Sequence, residues 1–261
     1  MNLPIGIGII AYHATHDLIR CIQSIKAYTR GYDIVIGVCD NTEGNDNNVR
    51  ITRELGGHIV HRGKNIGCAK GRNKIWSAFG ASHPEMKHLV IVDQDVRVLP
   101  GWLDDMMELM NARVSAGMVA WPCANMGDRP VREDGCISKA ASVCTLHLIE
   151  AIDAVGGWDP FFFMYRFDSL FADRMNNLGW RTYIQMKYYR EGVAWKKQKG
   201  GIIHDHPHQG VKRNPRWLQL RAESDKYYKA LMKKEGWKEF NPMTEPRHLW
   251  SLAPGNPLAP Q

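Results

Sequence analysis

The sequence predicts an α/β fold in which helices cover both faces of a mostly parallel sheet, and two observations support this prediction. Over residues 1–112, short apolar runs alternate with amphipathic segments of helical period. Strands that alternate with helices of this length need right-handed crossovers, which make neighbouring strands parallel. Three of the early runs also end in polar clusters, and the carboxyl ends of parallel strands are where such sheets bind ligands.

The first half of the chain contains the clearest elements. The apolar run from residue 5 to residue 11 predicts the first strand, and Leu18, Ile19, Ile22 and Ile25 then recur at helical spacing. In chain order, the same reasoning predicts strands at residues 5–11, 34–39, 58–61 and 89–92, and helices at 16–28, 49–55, 68–79 and 102–110. Residues 1–112 are therefore expected to form a nucleotide-binding type of α/β half.

The second half is less regular. Gly156-Gly157 and Gly179 close two periodic segments, as glycines do at helix C-termini. Strands are expected at 117–120, 141–146, 182–185 and 201–204, and helices at 147–155, 168–177 and 217–235. We expect residues 113–210 to complete the domain, 211–240 to form a basic C-terminal helix, and 241–261 to be a proline-rich tail that is ordered only where it docks.

The composition is that of an ordinary globular protein. The 261 residues contain no run of roughly 18 apolar residues, which a membrane span needs, and the amino terminus lacks the layout of a secretion signal. A cytoplasmic location is therefore expected. Six cysteines without a CxxC pair favour reduced, mostly buried thiols over disulfides or a structural zinc site.

The net charge of +7 is concentrated in the last third of the chain. Residues 184–234 contain thirteen Lys or Arg against four Asp or Glu, whereas residues 1–183 contain nineteen against twenty. This segregation indicates an anionic partner, whether nucleic acid, a phosphorylated glycan or an acidic membrane surface. A solvated helical face is the alternative explanation.

The most informative short motif is Asp93-Gln94-Asp95, which directly follows the apolar run at residues 89–92. In an extended chain, residues two apart point the same way, so both carboxylates can face one divalent cation or one phosphate-bearing ligand. Asp after a strand also commonly starts a turn, which is the simpler structural explanation.

Three further polar clusters are predicted at the same edge of the sheet. Two follow the first and second strands, at Tyr12-His13 with Thr15 and at Asp40-Asn41-Thr42. In the third, which opens a helix, the backbone N–H groups and the side chains of Lys70 and Arg72 can meet phosphate oxygens or orient the acidic residues. Its sequence is Asn65-Ile66-Gly67-Cys68-Ala69-Lys70-Gly71-Arg72-Asn73. Because adjacent strand ends converge, we expect one shared site.

In this order, the motifs resemble the family 2 glycosyltransferases of GT-A fold, which use nucleotide-activated sugars. The resemblance continues in Gly156-Gly157-Trp158-Asp159-Pro160-Phe161-Phe162 and in residues 165–174, which are similar to the family's Gly-Gly-aromatic-Asp segment followed by an acidic pair and an Arg. It spans residues 5–206. It implies a nucleotide-sugar donor and Mn²⁺ or Mg²⁺ as the cofactor.

The resemblance also implies roles for the donor-side residues. Asp40 would hold the nucleobase, Asp93 would reach the ribose or the metal, and Asp95 would bind the metal that bridges the two phosphates. His204 and His206 are the candidates for a further metal ligand, with a solvated histidine cluster as the alternative. The other residues expected to contact or support the sugar nucleotide are Tyr12, Thr15, Asn65, Gly67, Lys70, Arg72 and Asn73.

On the acceptor side, Asp168 falls at the position that resembles the family's catalytic base, and one displacement would invert the anomeric centre. Asp168 can also act as an N-cap of the following helix. Phe167 stands where the family usually has Glu, and Leu170 stands at the second acidic position, which bears on acceptor binding. The residues expected to bind the acceptor are Trp158, Arg166, Lys196, Lys197, Lys212 and Arg213.

The acceptor is expected to be a polyanion, because aromatic residues alternate with Lys and Arg across the basic third of the chain. A hydroxyl on a hydroxymethylated base, turned out of duplex DNA, is one acceptor of this kind. A cell-envelope polysaccharide or a lipid-linked glycan is the alternative.

Two other functions are compatible with parts of the sequence. Gly6-Ile7-Gly8-Ile9-Ile10-Ala11 matches the G-x-G-x-x-A fingerprint of NAD-dependent dehydrogenases, although only five residues precede it. A non-catalytic module that binds sugar nucleotides would keep the fold without turnover. Binding of a nicotinamide cofactor would support the first function, and absence of sugar transfer or hydrolysis with metal would support the second.

Overall fold

A computed structural model describes residues 3–44, 46–122, 130–140, 143–186, 201–204, 215–237 and 239–245, which form ten strands and seven helices. The strands are β1 Ile5–Ala11, β2 Ile34–Asp40, β3 His58–Arg62, β4 His88–Asp93, β5 Val96–Val98, β6 Ala116–Ala120, β7 Cys136–Ile137, β8 Cys144–Leu148, β9 Arg181–Ile184 and β10 Ile202–His204. The helices are α1 Thr15–Tyr28, α2 Asn47–Glu54, α3 Cys68–Ser82, α4 Trp102–Asn111, α5 Ile149–Val155, α6 Phe167–Asn177 and α7 Pro215–Lys234.

Eight strands form one sheet in the order β3-β2-β1-β4-β8-β6-β9-β7, and β5 pairs with β10 in a separate two-stranded sheet. β1 lies between β2 and β4 and is parallel to both. β8 runs antiparallel between β4 and β6, whereas β6 and β9 are again parallel. The predicted α/β fold with a mostly parallel sheet is confirmed.

Helices cover both faces of the sheet because side chains alternate along its central strands. On one face, Ile7 of β1 and Val90 of β4 pack with helices α1 and α4. On the other face, Ile91 of β4 packs with helices α3, α5 and α6. None of the helices in the described ranges is both long and apolar enough to cross a membrane.

The glycines of the dinucleotide fingerprint lie inside β1, whereas the fingerprint needs its glycines at the turn from a strand to a helix. A Cβ on Gly6 would lie 2.8 Å from the Phe79 ring, and a Cβ on Gly8 would lie 2.5 Å from Ile75. Gly6 and Gly8 therefore admit α3 close to the sheet. This geometry excludes the dinucleotide-binding interpretation of the motif.

The observed elements differ from the predicted ones in two ways. β5 and β7 are too short to show a period, and they form because β10 and β9 pair with them. The predicted helix start at His147 is wrong, because His147 lies in β8 between β4 and β6 and α5 begins at Ile149. Pairing with two neighbouring strands outweighs the local helical pattern here.

His147 is buried, and its Nε2 lies 2.9 Å from Thr145 Oγ1. Burial and the nearby Arg72 guanidinium lower the pKa of His147 from 6.5 to about 3. Below about pH 6.5 the unfolded chain therefore takes up a proton that the folded protein does not bind. We therefore expect His147 to lower the free energy of unfolding by about 1.4 kcal/mol for each unit by which the pH decreases between about pH 6 and pH 4.

His147→Gln should remove this part of the pH dependence, because the amide does not titrate. Urea-induced unfolding followed across that pH range measures the effect. His58→Gln, at an exposed position on β3, is the matched control and should keep the wild-type slope. Equal slopes for the wild type and His147→Gln would contradict the assignment.

The C-terminal segment docks on the domain, and α7 packs against the core through Tyr227, Tyr228, Leu231 and Met232. Beyond α7, the side chain of Glu245 is 3% exposed and forms ion pairs with two buried arginines, Arg132 and Arg181. The described start of the predicted tail, residues 241–245, thus contacts the domain through Glu245, and residues 246–261 lie outside the described residues.

Candidate active site

Three strand ends bring the predicted polar clusters to one edge of the sheet. In the parallel register, Ala11 at the end of β1 lies opposite Asp40, and Ile10 lies opposite Asp93. The residues that follow these strands therefore leave the sheet side by side, at the end where open α/β sheets bind ligands. Asp40, Asp93 and Tyr12 share this edge.

Asp40 is fully buried and forms the centre of a polar cluster. Its Oδ1 accepts hydrogen bonds from the Thr42 N–H at 3.1 Å and from Asn48 Nδ2 at 3.0 Å. Thr15 joins the cluster, because its hydroxyl donates to Asn48 Oδ1 at 2.7 Å. No described residue donates to Asp40 Oδ2. Since an unpaired buried oxygen is costly, Oδ2 is suited to an N–H donor of a ligand.

The corner between β1 and α1 has an unusual backbone. His13 and Ala14 have φ angles of 54° and 41°, in the left-handed region that residues other than glycine rarely occupy. Thr42 Oγ1 accepts a hydrogen bond from the His13 N–H at 2.7 Å. The Gln94 side-chain amide forms hydrogen bonds with the N–H and with the carbonyl oxygen of Tyr12, each at 2.8 Å. The Tyr12 side chain is 45% exposed, so its ring is available to a ligand.

The carboxylates of Asp93 and Asp95 lie at a turn, because β4 ends at Asp93 and the chain bends at Gln94 and Asp95 into β5. The extended geometry expected for this tripeptide is therefore wrong. The two half-buried carboxylates still lie near one residue, Cys21. Burial raises the pKa of the Cys21 thiol, and the charges of Asp95 and Asp93 raise it further.

The same turn lies next to the histidine segment in the strand pairing. β10 pairs with β5 antiparallel, and His204 lies opposite Val96, the residue after Asp95. This backbone register favours His204 as a neighbour of Asp95, whereas His206 lies outside the described residues. Among the side chains that the structure describes, no three His, Cys, Asp or Glu form a metal-binding group.

The loop before α3 contacts both halves of the domain. Asn65 Oδ1 accepts a hydrogen bond from the Gly67 N–H at 2.9 Å. Gly67 has a φ angle of 83°, and a Cβ there would lie 2.5 Å from the Phe163 carbonyl oxygen, so glycine is required. The Lys70 side chain is exposed in the first turn of α3, where it can reach a phosphate.

Asn73 and Trp158 hold α3 against the Gly-Gly-Trp segment. The Asn73 side chain donates to the Trp158 carbonyl at 2.6 Å and accepts from the Trp158 N–H at 2.9 Å. The Trp158 side chain is 1% exposed and stacks on Phe171, with ring centroids 4.8 Å apart. The structure thus places this ring in the core and not on an acceptor surface, which corrects the expectation, and Asn73 supports the site from within the protein.

Arg72 connects the donor-side strand ends with α6. Its side chain is 1% exposed, its Nη2 lies 3.6 Å from Asp93 Oδ1, and its guanidinium lies 4.5 Å from the centre of the Phe167 ring. Phe167, at the position where the family usually has Glu, thus offers a ring face to this cation. The burial of Arg72 favours the role of orienting Asp93 over direct contact with a phosphate.

Asp168 lies in the first turn of α6, where its Oδ1 accepts the Ser169 N–H at 2.7 Å. Burial raises the pKa of the Cys68 thiol to about 11; Arg72 lowers it in part, whereas Asp93 and Asp168 both raise it further. Asp93 and Asp168 therefore lie close enough to act on one thiol. The N-cap of α6 is Arg166, so the N-cap role considered for Asp168 is wrong, and its place within the first turn is compatible with a catalytic role.

Arg166 attaches α7 to the start of α6. It has a φ angle of 67°, and its side chain forms an ion pair with Asp225 of α7. Two positions after Asp168, Leu170 is 1% exposed, so an apolar residue there fills the core in place of an acidic one. The other residues expected to bind the acceptor lie outside the described residues: Lys196, Lys197, Lys212 and Arg213.

Sequence reasoning does not single out Asn48 or Cys68 as site residues. Asn48 orients Asp40 from α2, and the charges of Asp93 and Asp168 raise the pKa of the Cys68 thiol. Their places follow from long-range contacts, so the local sequence carries no signal for them.

Comparisons with known proteins agree with this geometry. The family model described as glycosyl transferase family 2 matches residues 7–243. No curated protein matches the sequence.

Several solved structures are similar in fold. S. aureus TarS aligns with a TM-score of 0.52 and 11% identity, over 74% of this chain and 36% of TarS. The mannosyltransferase PcManGT from Pyrobaculum calidifontis, in complex with GDP-Man and Mn²⁺, aligns with a TM-score of 0.55 and 13% identity, over 74% of this chain and 59% of PcManGT. GalNAc-T7, with UDP, GalNAc and Mn²⁺, aligns with a TM-score of 0.56 and 12% identity, over 70% of this chain and 42% of GalNAc-T7.

At these identities the likeness shows the GT-A fold, and this chain spans between 36% and 59% of the length of these structures. The family model, in contrast, covers most of the sequence. Together with the fold and the shared edge of polar strand ends, that match shows that the chain belongs to glycosyl transferase family 2.

Proposed function

We propose that this protein is an inverting, metal-dependent glycosyltransferase that moves a sugar from a nucleoside-diphosphate donor to a hydroxyl group on a polyanionic acceptor. The observation that carries the proposal is the link from Asp93 to the start of α6 through the buried Arg72 guanidinium. This link supports one site that contains a carboxylate on the donor side and Asp168, a carboxylate able to act as a base. Transfer between two bound substrates requires such a shared site.

Asp40 supports a nucleoside at the donor end. No described residue donates to its buried Oδ2, and a nucleobase N–H would satisfy that oxygen. Uracil, thymine and guanine present a ring N–H, whereas adenine and cytosine present only an exocyclic amine. Among the donors with a ring N–H, we favour a uridine or guanosine diphosphate sugar. Two similar structures carry ligands of these kinds, GDP-Man and UDP.

The carboxylates at the turn between β4 and β5 fit a hard divalent cation such as Mn²⁺ or Mg²⁺, which prefers oxygen ligands. Asp95 is the proposed ligand, with Asp93 beside it and His204 or His206 as a further ligand. A cation bound there would stabilise the negative charge that gathers on the departing diphosphate. Two similar structures contain Mn²⁺.

Asp168 is the proposed general base. An acceptor hydroxyl is a weak nucleophile at neutral pH, and a carboxylate within hydrogen-bond reach takes its proton as the oxygen attacks the anomeric carbon. The bond from that carbon to the diphosphate oxygen breaks on the opposite face, and the electron pair leaves with the diphosphate. The configuration at the anomeric carbon is therefore inverted.

The described part of α7 supports a polyanionic acceptor. The ion pair between Arg166 and Asp225 attaches this helix next to Asp168. Cations on its outer face can neutralise phosphates of a neighbouring polymer. The exposed cations of α7 are Arg216, Arg221, Lys226, Lys229, Lys233 and Lys234.

A hydroxymethylated base in DNA is the acceptor that we propose to test first. Incubation with UDP-sugars or GDP-sugars, Mn²⁺ and duplex DNA with or without 5-hydroxymethylcytosine should transfer sugar to the modified duplex alone. Transfer to an anionic or lipid-linked glycan, and none to DNA, would support cell-envelope glycan synthesis instead. Absence of both transfer and donor hydrolysis would support a non-catalytic module.

Asp95→Asn tests the donor site directly. We expect it to weaken Mn²⁺-dependent binding of UDP or GDP by at least about 100-fold, because loss even of residues that support a metal ligand costs about 10- to 100-fold. Calorimetric titration with and without MnCl₂ measures the effect. Asp104→Asn, on the exposed surface of α4, is the matched control and should bind like the wild type. Unchanged Mn²⁺-dependent affinity in Asp95→Asn would remove Asp95 from the metal site.

A further inference from the structure

Gln94 differs from the two carboxylates that flank it, because its side chain is 7% exposed and points to backbone. Its Oε1 accepts a hydrogen bond from the Tyr12 N–H at 2.8 Å, and its Nε2 donates to the Tyr12 carbonyl at 2.8 Å. One amide orientation satisfies both bonds, and the reverse orientation satisfies neither. Gln94 thus pairs with both backbone polar groups of one residue.

These two bonds continue the ladder between β1 and β4 beyond the strand ends. The register places Ile10 opposite Asp93, so an unbroken β4 would bring position 95 opposite Tyr12. The main chain leaves that line at the turn of Gln94 and Asp95. The Gln94 side chain supplies the bonds that a straight strand would have made, and Tyr12 is thereby fixed to the carboxylate turn.

The corner that follows Tyr12 needs such a restraint. His13 and Ala14 have left-handed backbone conformations, which persist in residues other than glycine only when surrounding contacts hold them. Thr42 holds the corner from the side of β2 through the His13 N–H, and Gln94 holds it from the side of β4. The Tyr12 backbone, which carries the exposed ring, therefore has a set position relative to both neighbouring strand ends.

We propose that Gln94 is a positioning residue that couples the nucleoside end of the donor site to its metal end. By fixing Tyr12 relative to Asp93 and Asp95, it lets a nucleotide that contacts Tyr12 and Asp40 bring its diphosphate to the carboxylates. The inference rests on the proposed function, because it takes the ligand to be a sugar nucleotide. Gln94 acts through Tyr12 and the turn and does not itself contact the donor.

Calorimetric titration of UDP and of GDP, each with MnCl₂, tests this inference on the full chain. Gln94→Met keeps the length of the side chain and removes both hydrogen bonds; Gln94→Asn, with a shorter stem, serves if the first variant fails to fold. Gln185→Met is the matched control, since Gln185 also donates to a backbone carbonyl, that of Asp105, at 2.8 Å. We expect the Kd to rise about tenfold in the Gln94 variants and to stay within about twofold in the control.

A double-mutant cycle with Tyr12→Ala separates positioning from a general loss of stability. If Gln94 acts through Tyr12, the combined variant should bind nucleotide no more weakly than Tyr12→Ala alone. Additive losses would overturn the inference, as would a wild-type Kd in Gln94→Met. A wild-type chain that binds neither nucleotide would defeat the proposed function as well, whereas a nucleotide-binding wild type with an unaffected Gln94→Met defeats the inference alone.

Discussion

Replacing Asp168 by Asn is expected to lower the rate of sugar transfer about 10²- to 10⁴-fold, with the donor Kd within about twofold of the wild type. Asn has nearly the same size and can still accept the Ser169 N–H, so the first turn of α6 should persist. Its amide cannot take a proton from the acceptor hydroxyl. The loss should therefore appear in kcat and not in donor binding.

Release of the nucleoside diphosphate measures kcat, and calorimetry measures the donor Kd. Asp104→Asn is the matched control, because Asp104 also lies in the first turn of a helix, α4, and tests whether loss of such a carboxylate matters by itself. Wild-type turnover in Asp168→Asn would place the base elsewhere. A raised donor Kd with unchanged kcat would assign Asp168 to the donor.

Glu245→Gln should lower the free energy of unfolding by about 3–5 kcal/mol, the usual cost of breaking a buried ion pair. The Glu245 carboxylate pairs with Arg132, and its Oε1 lies 2.7 Å from Arg181 Nη2. All three side chains are at most 3% exposed. Gln has the same shape, but it removes the charge that pairs with the buried Arg181 and, together with Asp134, with the buried Arg132, and it turns an N–H donor towards a guanidinium.

Urea-induced unfolding monitored by circular dichroism gives the free-energy difference. Glu54→Gln is the control, because Glu54 pairs with Arg50 at 2.7 Å on the exposed face of α2, where such a pair contributes only about 0.5 kcal/mol or less. A loss in Glu245→Gln no larger than that of the control would show that the tail does not dock in solution.

The parts of the fold that the sequence predicts correctly are those with a local period. β1, β4 and α1 follow from apolar spacing, which burial on a two-sided sheet imposes on every strand and covering helix. The shared edge of Tyr12, Asp40 and Asp93 then follows from parallel topology. Asp168 emerges only through the order of motifs that resemble the family, since nothing in its own sequence distinguishes a base from a helix-end residue.

Trp158 and Gln94 show where local pattern is insufficient. An aromatic residue beside two glycines and a polar residue between two carboxylates both have the appearance of ligand contacts. The tertiary contacts decide otherwise, because the Trp158 ring stacks on Phe171 in the core and the Gln94 amide binds the Tyr12 backbone. Similarly, the sequence predicts a basic C-terminal helix, and the structure attaches that helix, α7, to the core through Tyr227 and Tyr228.

The sequence by itself determined the succession of strands and helices, the sheet edge where the polar groups gather, and the family to which the chain belongs. Only the tertiary structure decided which side chains face that edge and which support it from inside, as Arg72 and Gln94 do. It also decided that Glu245 pairs with Arg181 and Arg132, which lie 64 and 113 residues earlier in the chain. The physical reason is that periodicity is a local property of the chain, whereas the partners of a buried polar group come from segments that meet only in the folded state.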